Sequence, residues 1–390
     1  MRTHRTSSDR ADAAASRAGL GAARRRPLSP LLGVLTAVTI ALTGSVAAYA
    51  ESESPAATGG TGTDREVTFT ASDGLELHGS LRVPTHARKP VPAVLLIAGS
   101  GPTDREGNSS GISGDVGTLR NLADTLARNG IASLRYDKLG SGQTGMGPYA
   151  EDPGRVDFDA YVEHAAEGLR FLADQPEVNQ DRLMVTGHSE GGLIALVLAQ
   201  DETLDVPPIS SVGLLTPASL RYLTTITNQL TAQLEAGVEA GVLPREEADA
   251  LLASLEEIVE SLRTDGRLPD SVPPELASLF NPYNERFLHN ADQYDPSELA
   301  ATLPTDVSVY LACATADIQV ACSDVDLVRA GLAERPAGHT TNSTLYGVNH
   351  VLKEVGSAGS DGSEYGEPLP FSRQLRIELS WFVFTQLHLR

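Results

Sequence analysis

The six residues Gly187-His188-Ser189-Glu190-Gly191-Gly192 hold a serine in a G-x-S-x-G string. A serine hydroxyl is a weak nucleophile at neutral pH; it needs an imidazole to take its proton and a carboxylate to hold that imidazole. The string follows the apolar segment Leu183 to Thr186 and precedes LIALVLAQ, a good helix former. It therefore reads as a strand-turn-helix elbow that lifts the hydroxyl out of a sheet. Such an elbow takes its acid and then its base from loops after later strands. Asp317 is the first carboxylate past the strand-like Val307 to Ala312 and is the expected acid. Asp324 and Asp326 are the alternatives; they fall in the next helical run, where carboxylates ordinarily face solvent. His350, in Tyr346-Gly347-Val348-Asn349-His350, is the expected base, since His339 precedes the last strand, His388 lies at the chain end and His188 points away from the hydroxyl. A tetrahedral anion also needs N–H donors. One is expected from Glu190 and one from the loop Ala98 to Pro102, where Ser100 is the first choice, Gly101 the second, and a plain tight turn the competing reading.

Positioning these groups requires alternating strands and helices. From Glu66 the alternation Val67, Phe69, then Leu75, Leu77, Leu81 and Val83 about Asp73-Gly74 predicts an antiparallel hairpin. VPAVLLIAG from Val91 is a continuous apolar run, as expected of a strand covered on both faces. Leu119, Leu122, Ala123 and Leu126 then share a helical face, Ile131 to Tyr136 reads as a strand, and Phe158 to Leu172 recurs at helical spacing. Leu183 to Thr186, Val212 to Leu215, Val307 to Ala312 and Thr344 to Tyr346 add four strands before a closing helix around Leu375 to Leu387. The pattern predicts a mostly parallel sheet with helices on both faces. Residues 217–300 interrupt it with a strand-free, helical insertion in which Leu251, Leu255, Ile258, Val259 and Leu262 mark one amphipathic helix opened by Pro244.

Composition bounds the rest. The chain has 390 residues, 41% hydrophobic and 21% charged, with 36 Gly, 23 Pro and two Cys, which excludes a collagen-like, disulfide-scaffold or wholly disordered protein. The net charge is −21; seven Arg against two Asp in the first 50 residues leave −26 for the remaining 340. Such a surface repels nucleic acid and anionic membranes, so a nucleic-acid partner is not expected. Arg24 to Arg26, the uncharged stretch Leu31 to Ala50 and the closing Ala48-Tyr49-Ala50 have the order of a secretory leader. An uncleaved anchor and a twin-arginine signal are the competing readings. Residues 51–64 are small and polar and read as a flexible linker. Export would permit a disulfide between Cys313 and Cys322; two free thiols are the alternative.

Together, GSGPTDREGNS (Gly99 to Ser109), RYDKLGSGQT (Arg135 to Thr144), GHSEGG, TADIQV (Thr315 to Val320) and GVNH (Gly347 to His350) resemble the α/β-hydrolase superfamily, specifically bacterial serine carboxylesterases with a helical lid. The resemblance runs from Glu66 to the C-terminus and is weakest over the insertion. It implies an eight-stranded sheet with an antiparallel second strand, a core of residues 65–216 and 301–390, and a cap or lid of residues 217–300. It also implies hydrolysis of a small acyl ester, no metal or organic cofactor, and no stable membrane partner once the leader is removed. Carried over, Ser189 is the nucleophile, Asp317 the orienting acid and His350 the base, with Ser100 and Glu190 as oxyanion donors. Ala98 stands where many relatives have His, and the Gly/Ser-rich stretch Gly356 to Gly366 is longer than a turn needs and reads as disorder. A serine aminopeptidase with the same triad is the second reading, and a non-catalytic binding protein on this scaffold the third. Lyase and perhydrolase variants share the scaffold, whereas an epoxide hydrolase of this fold would want Asp in place of Ser189.

Overall fold

The computed structural model describes residues 62–85 and 90–389. The expected leader and residues 51–61 of the expected linker lie outside the described residues. Eight strands form one sheet: β1 (Gly62–Thr70), β2 (Glu76–Pro84), β3 (Val91–Ile97), β4 (Ala132–Tyr136), β5 (Val178–His188), β6 (Ile209–Leu215), β7 (Ser308–Ala314) and β8 (Thr340–Leu345). Their order is β1-β2-β4-β3-β5-β6-β7-β8. β2 runs antiparallel to both β1 and β4, and every other pair is parallel. This is the mostly parallel eight-stranded arrangement that the resemblance implied.

Helices cover both faces because the central strands are apolar on both. Along β3, Ala93, Leu95 and Ile97 join one buried cluster with Leu169 and Leu172 of α2 (Phe158–Ala173) and Leu193, Ile194 and Leu196 of α3 (Glu190–Leu198). The alternate residues Val94 and Leu96 join a second cluster with Leu119 and Leu122 of α1 (Thr118–Arg128) and Leu375, Leu379 and Phe382 of the closing helix Arg373–Val383. The period of two along a strand thus divides one apolar run between two cores. α2 begins where the Asp157 carboxylate accepts the Ala160 N–H at 3.0 Å, an N-cap worth about 1 kcal/mol.

Between β6 and β7 lie α4 (Tyr222–Glu239), α5 (Arg245–Asp265), α6 (Glu285–Ala291) and α7 (Pro296–Thr302). α5 starts after Pro244, as its apolar spacing predicts. Asp292, fully buried, draws α4 to α6 together: its carboxylate accepts Leu223 N–H at 2.8 Å and Arg263 Nε at 2.8 Å and pairs with Arg221 at 3.2 Å. α8 (Cys322–Glu334) and α9 (Arg373–Val383) complete the helices.

Three boundaries differ from the sequence reading. β1 starts at Gly62, inside the expected linker, with Gly62 to Asp64 in register with Pro84 to Arg82. The small polar residues show no apolar alternation because ion pairs hold them: Asp64 receives Arg82 Nε at 2.7 Å and Arg135 Nη2 at 2.9 Å, both arginines being buried. The expected boundary between residues 300 and 301 falls inside α7, which packs so closely on α8 that a methyl group at Gly331 would lie 2.2 Å from Ser297 O. β8 covers Thr340–Leu345 rather than Thr344 to Tyr346. It is the polar edge strand TTNSTL, and an edge needs no apolar run to pair with β7.

Candidate active site

The elbow at the end of β5 is sterically over-determined. Ser189 sits at φ 55°, ψ −122°, a region that costs a non-glycine residue roughly 1–3 kcal/mol. The cost is met by fixed bonds: Ser189 N–H donates to Leu215 O at 3.1 Å, and Ser189 O accepts from Gly192 and Ala218, each at 2.9 Å. The flanking glycines are required by space. A methyl at Gly187 would fall 1.9 Å from Gly191 O, one at Gly191 2.4 Å from Ile97 O, and one at Gly192 2.6 Å from the Pro217 Cβ.

Asp317, in the loop after β7, has a fully buried side chain. Its Oδ1 accepts the backbone N–H groups of Gln319 at 2.8 Å and Val320 at 2.9 Å, which leaves Oδ2 to accept from His350 Nδ1 at 2.8 Å. A carboxylate acceptor at Nδ1 puts the imidazole proton there. Nε2 then carries the lone pair a base requires. Asp324 and Asp326 lie in α8, and the carboxylate that meets His350 Nδ1 is that of Asp317.

His350 is brought to the elbow by His188. The two rings are 4.8 Å apart, and His188 Nε2 donates to the His350 carbonyl at 2.8 Å. Burial, followed by the neighbouring His350, pushes the His188 pKa down to about 3, so it stays neutral. His188 thus turns toward the backbone of His350, the expected base.

The loop from which an oxyanion donor is expected lies against the same elbow: a methyl on Gly99 would fall 3.2 Å from the Ser189 Cβ. Gly101 takes a positive φ of 72°, which lets the chain turn between Ser100 and Pro102. Glu190 is the first residue of α3, where a backbone N–H has no acceptor in its own helix. The two glycine-bearing motifs flanking the site clamp each other. Lys138 N–H donates to Thr103 O at 3.2 Å, Ser141 Oγ to the same carbonyl at 2.8 Å, and Arg105 Nη2 to Asp137 at 2.7 Å.

A disulfide joins Cys313, in β7, to Cys322, the first residue of α8, and closes the loop that carries Asp317. Several supporting residues were missed in the sequence. Asn349, fully buried, donates to Glu364 at 2.8 Å and accepts from Lys353 N–H at 2.9 Å. Lys353 Nζ holds the carbonyls of Tyr365 and Glu367, each at 2.7 Å. The Gly/Ser-rich stretch that reads as disorder thus buttresses the His350 loop through Glu364 and Tyr365, whose long-range partners leave no local pattern. From the helical insertion, Gln229 of α4 donates to Gln319 O at 3.1 Å. Among the described residues, no group of three His, Cys, Asp or Glu could hold a metal ion, and no helix is long and apolar enough to cross a membrane.

A family model described as serine aminopeptidase, S33, matches residues 109–238, the third of the chain that holds the elbow. Esterase EstD of Thermotoga maritima is 28% identical over 158 residues, covering 38% of this chain and 35% of that protein. Esterase FrsA of Yersinia pestis is 28% identical over 149 residues, covering 38% of this chain and 31% of that protein. The chain therefore spans about a third of the length of the curated relatives it matches. Est1E of Butyrivibrio proteoclasticus, solved with ferulic acid, superposes with a TM-score of 0.53 at 15% identity, over 83% of this chain and 99% of its own. Carboxyl esterase 2 of Tuber melanosporum gives 0.52 at 14%, over 93% and 100%. The sheet order, the strained serine after β5 and the likeness to these structures agree on the α/β-hydrolase fold, and over about a third of its length the chain is similar to proteins named as esterases.

Proposed function

We propose that this chain is an exported carboxylesterase that cleaves acyl esters through an acyl-enzyme on Ser189. The observation that carries the reading is the 2.8 Å bond from His350 to the buried Asp317, beside a serine held at φ 55°. In the first half-reaction His350 Nε2 takes the Ser189 proton while Oγ attacks the acyl carbon. The oxyanion is met by the N–H groups of Glu190 and Ser100, with Gly101 the near alternative. Collapse expels the alcohol with the proton that His350 returns, and water, activated by the same base, then releases the acid. Asp317 holds the imidazolium through its bond to Nδ1. The order of the leader residues 1–50 supports export, as does the Cys313–Cys322 bond, which an oxidising compartment preserves.

A serine aminopeptidase is the second reading, favoured by the description of the family model that matches residues 109–238. Holding a substrate ammonium takes an uncommitted carboxylate. Glu190 is already bound by Lys138 and Tyr222, and Asp292 by Arg221 and Arg263, so the buried acids nearest the elbow and in the cap favour the ester reading. The test is turnover of p-nitrophenyl esters from acetyl to palmitoyl beside aminoacyl p-nitroanilides, with Ser189→Ala as control. Ester turnover that disappears in the variant supports the proposal. Anilide turnover of comparable efficiency replaces it with the aminopeptidase, and silence on both substrates leaves the binding-protein reading.

A further inference from the structure

We propose that Lys138 is a positioning residue that fixes both arms of the oxyanion hole and ties them to the cap through Glu190 and Tyr222; the inference rests on the hydrolase reading above. Lys138 belongs to the RYDKLGSGQT motif, to which the triad gives no role. Its side chain is 1% exposed, and its Nζ donates to Glu190 Oε1 at 2.6 Å and to Gly99 O at 2.8 Å while lying 4.6 Å from the centre of the Tyr161 ring. A buried ammonium is kept only where acceptors and an aromatic face replace water, and here they do.

What those acceptors are attached to makes the contact functional. Gly99 C=O and Ser100 N–H are the two ends of one peptide group. In a planar trans peptide they point in opposite directions, so an ammonium gripping the oxygen fixes the plane and aims the Ser100 N–H away from Lys138. A cation on the carbonyl also polarises the amide and makes its N–H a stronger donor. The second acceptor belongs to Glu190, whose own N–H is the other expected arm. One ammonium therefore sets the separation of the two donors. Glu190 Oε2 accepts the Tyr222 hydroxyl at 2.8 Å, and Tyr222 is the first residue of α4, so a shift of the cap helix is felt at the oxyanion hole through two hydrogen bonds.

The test uses the full chain and three variants: Lys138→Met combined with Glu190→Gln, Lys138→Arg, and Tyr222→Phe. The double variant removes the buried ion pair without stranding either charge and keeps the residue-190 N–H. Its kcat for p-nitrophenyl acetate is expected to fall roughly 10- to 100-fold with KM changed by less than about twofold, because donors are misplaced in the transition state and not removed. The rate of Ser189 labelling by a fluorophosphonate, which needs the same donors but no acyl substrate, should fall by the same factor. Lys138→Arg, whose planar fork cannot reproduce both bonds, and Tyr222→Phe should each lower kcat by about two- to tenfold with KM held. A folded double variant with wild-type kcat overturns the proposal. Should that variant not fold, wild-type kcat and labelling rate in both single variants overturn it. A wild type that fluorophosphonate labels but that turns over no ester refutes the esterase reading alone, and the labelling rates then decide the role of Lys138. A wild type inert to both reagents overturns both.

Discussion

Replacing Asp317 by Asn is isosteric and leaves the fold alone, yet it should nearly abolish turnover. Oδ1 of Asp317 accepts two backbone N–H groups, from Gln319 and Val320, while Oδ2 accepts only from His350. An asparagine keeps the two backbone bonds by leaving its oxygen where Oδ1 was, which turns its NH2 toward His350. The imidazole then accepts a hydrogen bond at Nδ1 in place of donating one, so Nε2 carries the ring hydrogen and cannot take the serine proton. Flipping the amide restores the tautomer only by setting an NH2 against two N–H donors, at a cost of about 1–3 kcal/mol for each donor left unpaired. The wrong tautomer therefore prevails. Where such a substitution has been made in another triad hydrolase, kcat fell by about 10⁴, equivalent to about 5.5 kcal/mol. The assay is kcat/KM for p-nitrophenyl acetate with Asp317→Asn, Asp324→Asn and Asp326→Asn side by side, each with its thermal midpoint. A loss of less than about tenfold in Asp317→Asn, or a larger loss in either of the other two, refutes the assignment of the acid.

Ser189→Gly should inactivate the protein and at the same time stabilise it. It relieves the roughly 1–3 kcal/mol of strain at φ 55°, ψ −122° and gives back about 0.5–1 kcal/mol in chain entropy, so a net gain of about 1 kcal/mol should appear as a higher urea midpoint. Opening the Cys313–Cys322 bond, by reductant or by a double alanine replacement, should cost about 2.5 kcal/mol for a closed loop with a sequence separation of 9; it should also lower kcat, because that loop carries Asp317. Unchanged kcat in the reduced protein would separate the bridge from the site. His188 titrates at about 3 in the folded protein against an ordinary histidine value of 6.5, so the unfolded chain binds the extra proton as pH falls through 6.5. Stability from this group is thus intact above pH 6.5 and lost progressively toward pH 3, by about 2 kcal/mol at pH 5. Urea midpoints at pH 7 and 5 for wild type and His188→Asn should differ in slope by that amount, and equal slopes would show that His188 does not titrate in this range.

Ser189, Asp317 and His350 are legible because each stands in a local context, a glycine elbow or the first polar loop after an apolar strand, that a linear pattern can carry. The covered strands are legible for the same reason: β3 is apolar at every position because both faces are buried. The extent of β1 and β8 is not legible. Edge strands are held by backbone pairing and, at Asp64, by arginines 18 and 71 residues away, and neither leaves an apolar period. Glu364, Tyr222 and Lys138 escape in the same way. A polar contact of this kind is recognisable only from its partner, and those partners lie 15, 32 and 52 residues distant along the chain.

Taken alone, the sequence determines the class of the sheet, the order of the serine, aspartate and histidine proposed as nucleophile, acid and base, and the glycines that the elbow requires, since all of these follow from periodicity and from chemistry confined to a few neighbouring residues. Only the tertiary structure decides which of three aspartates meets His350, that Cys313 and Cys322 are joined, and that Lys138 bridges Gly99 to Glu190. Such pairings depend on the packing of elements far apart in the chain, where burial makes a hydrogen bond to a charge decisive and no short-range rule records it.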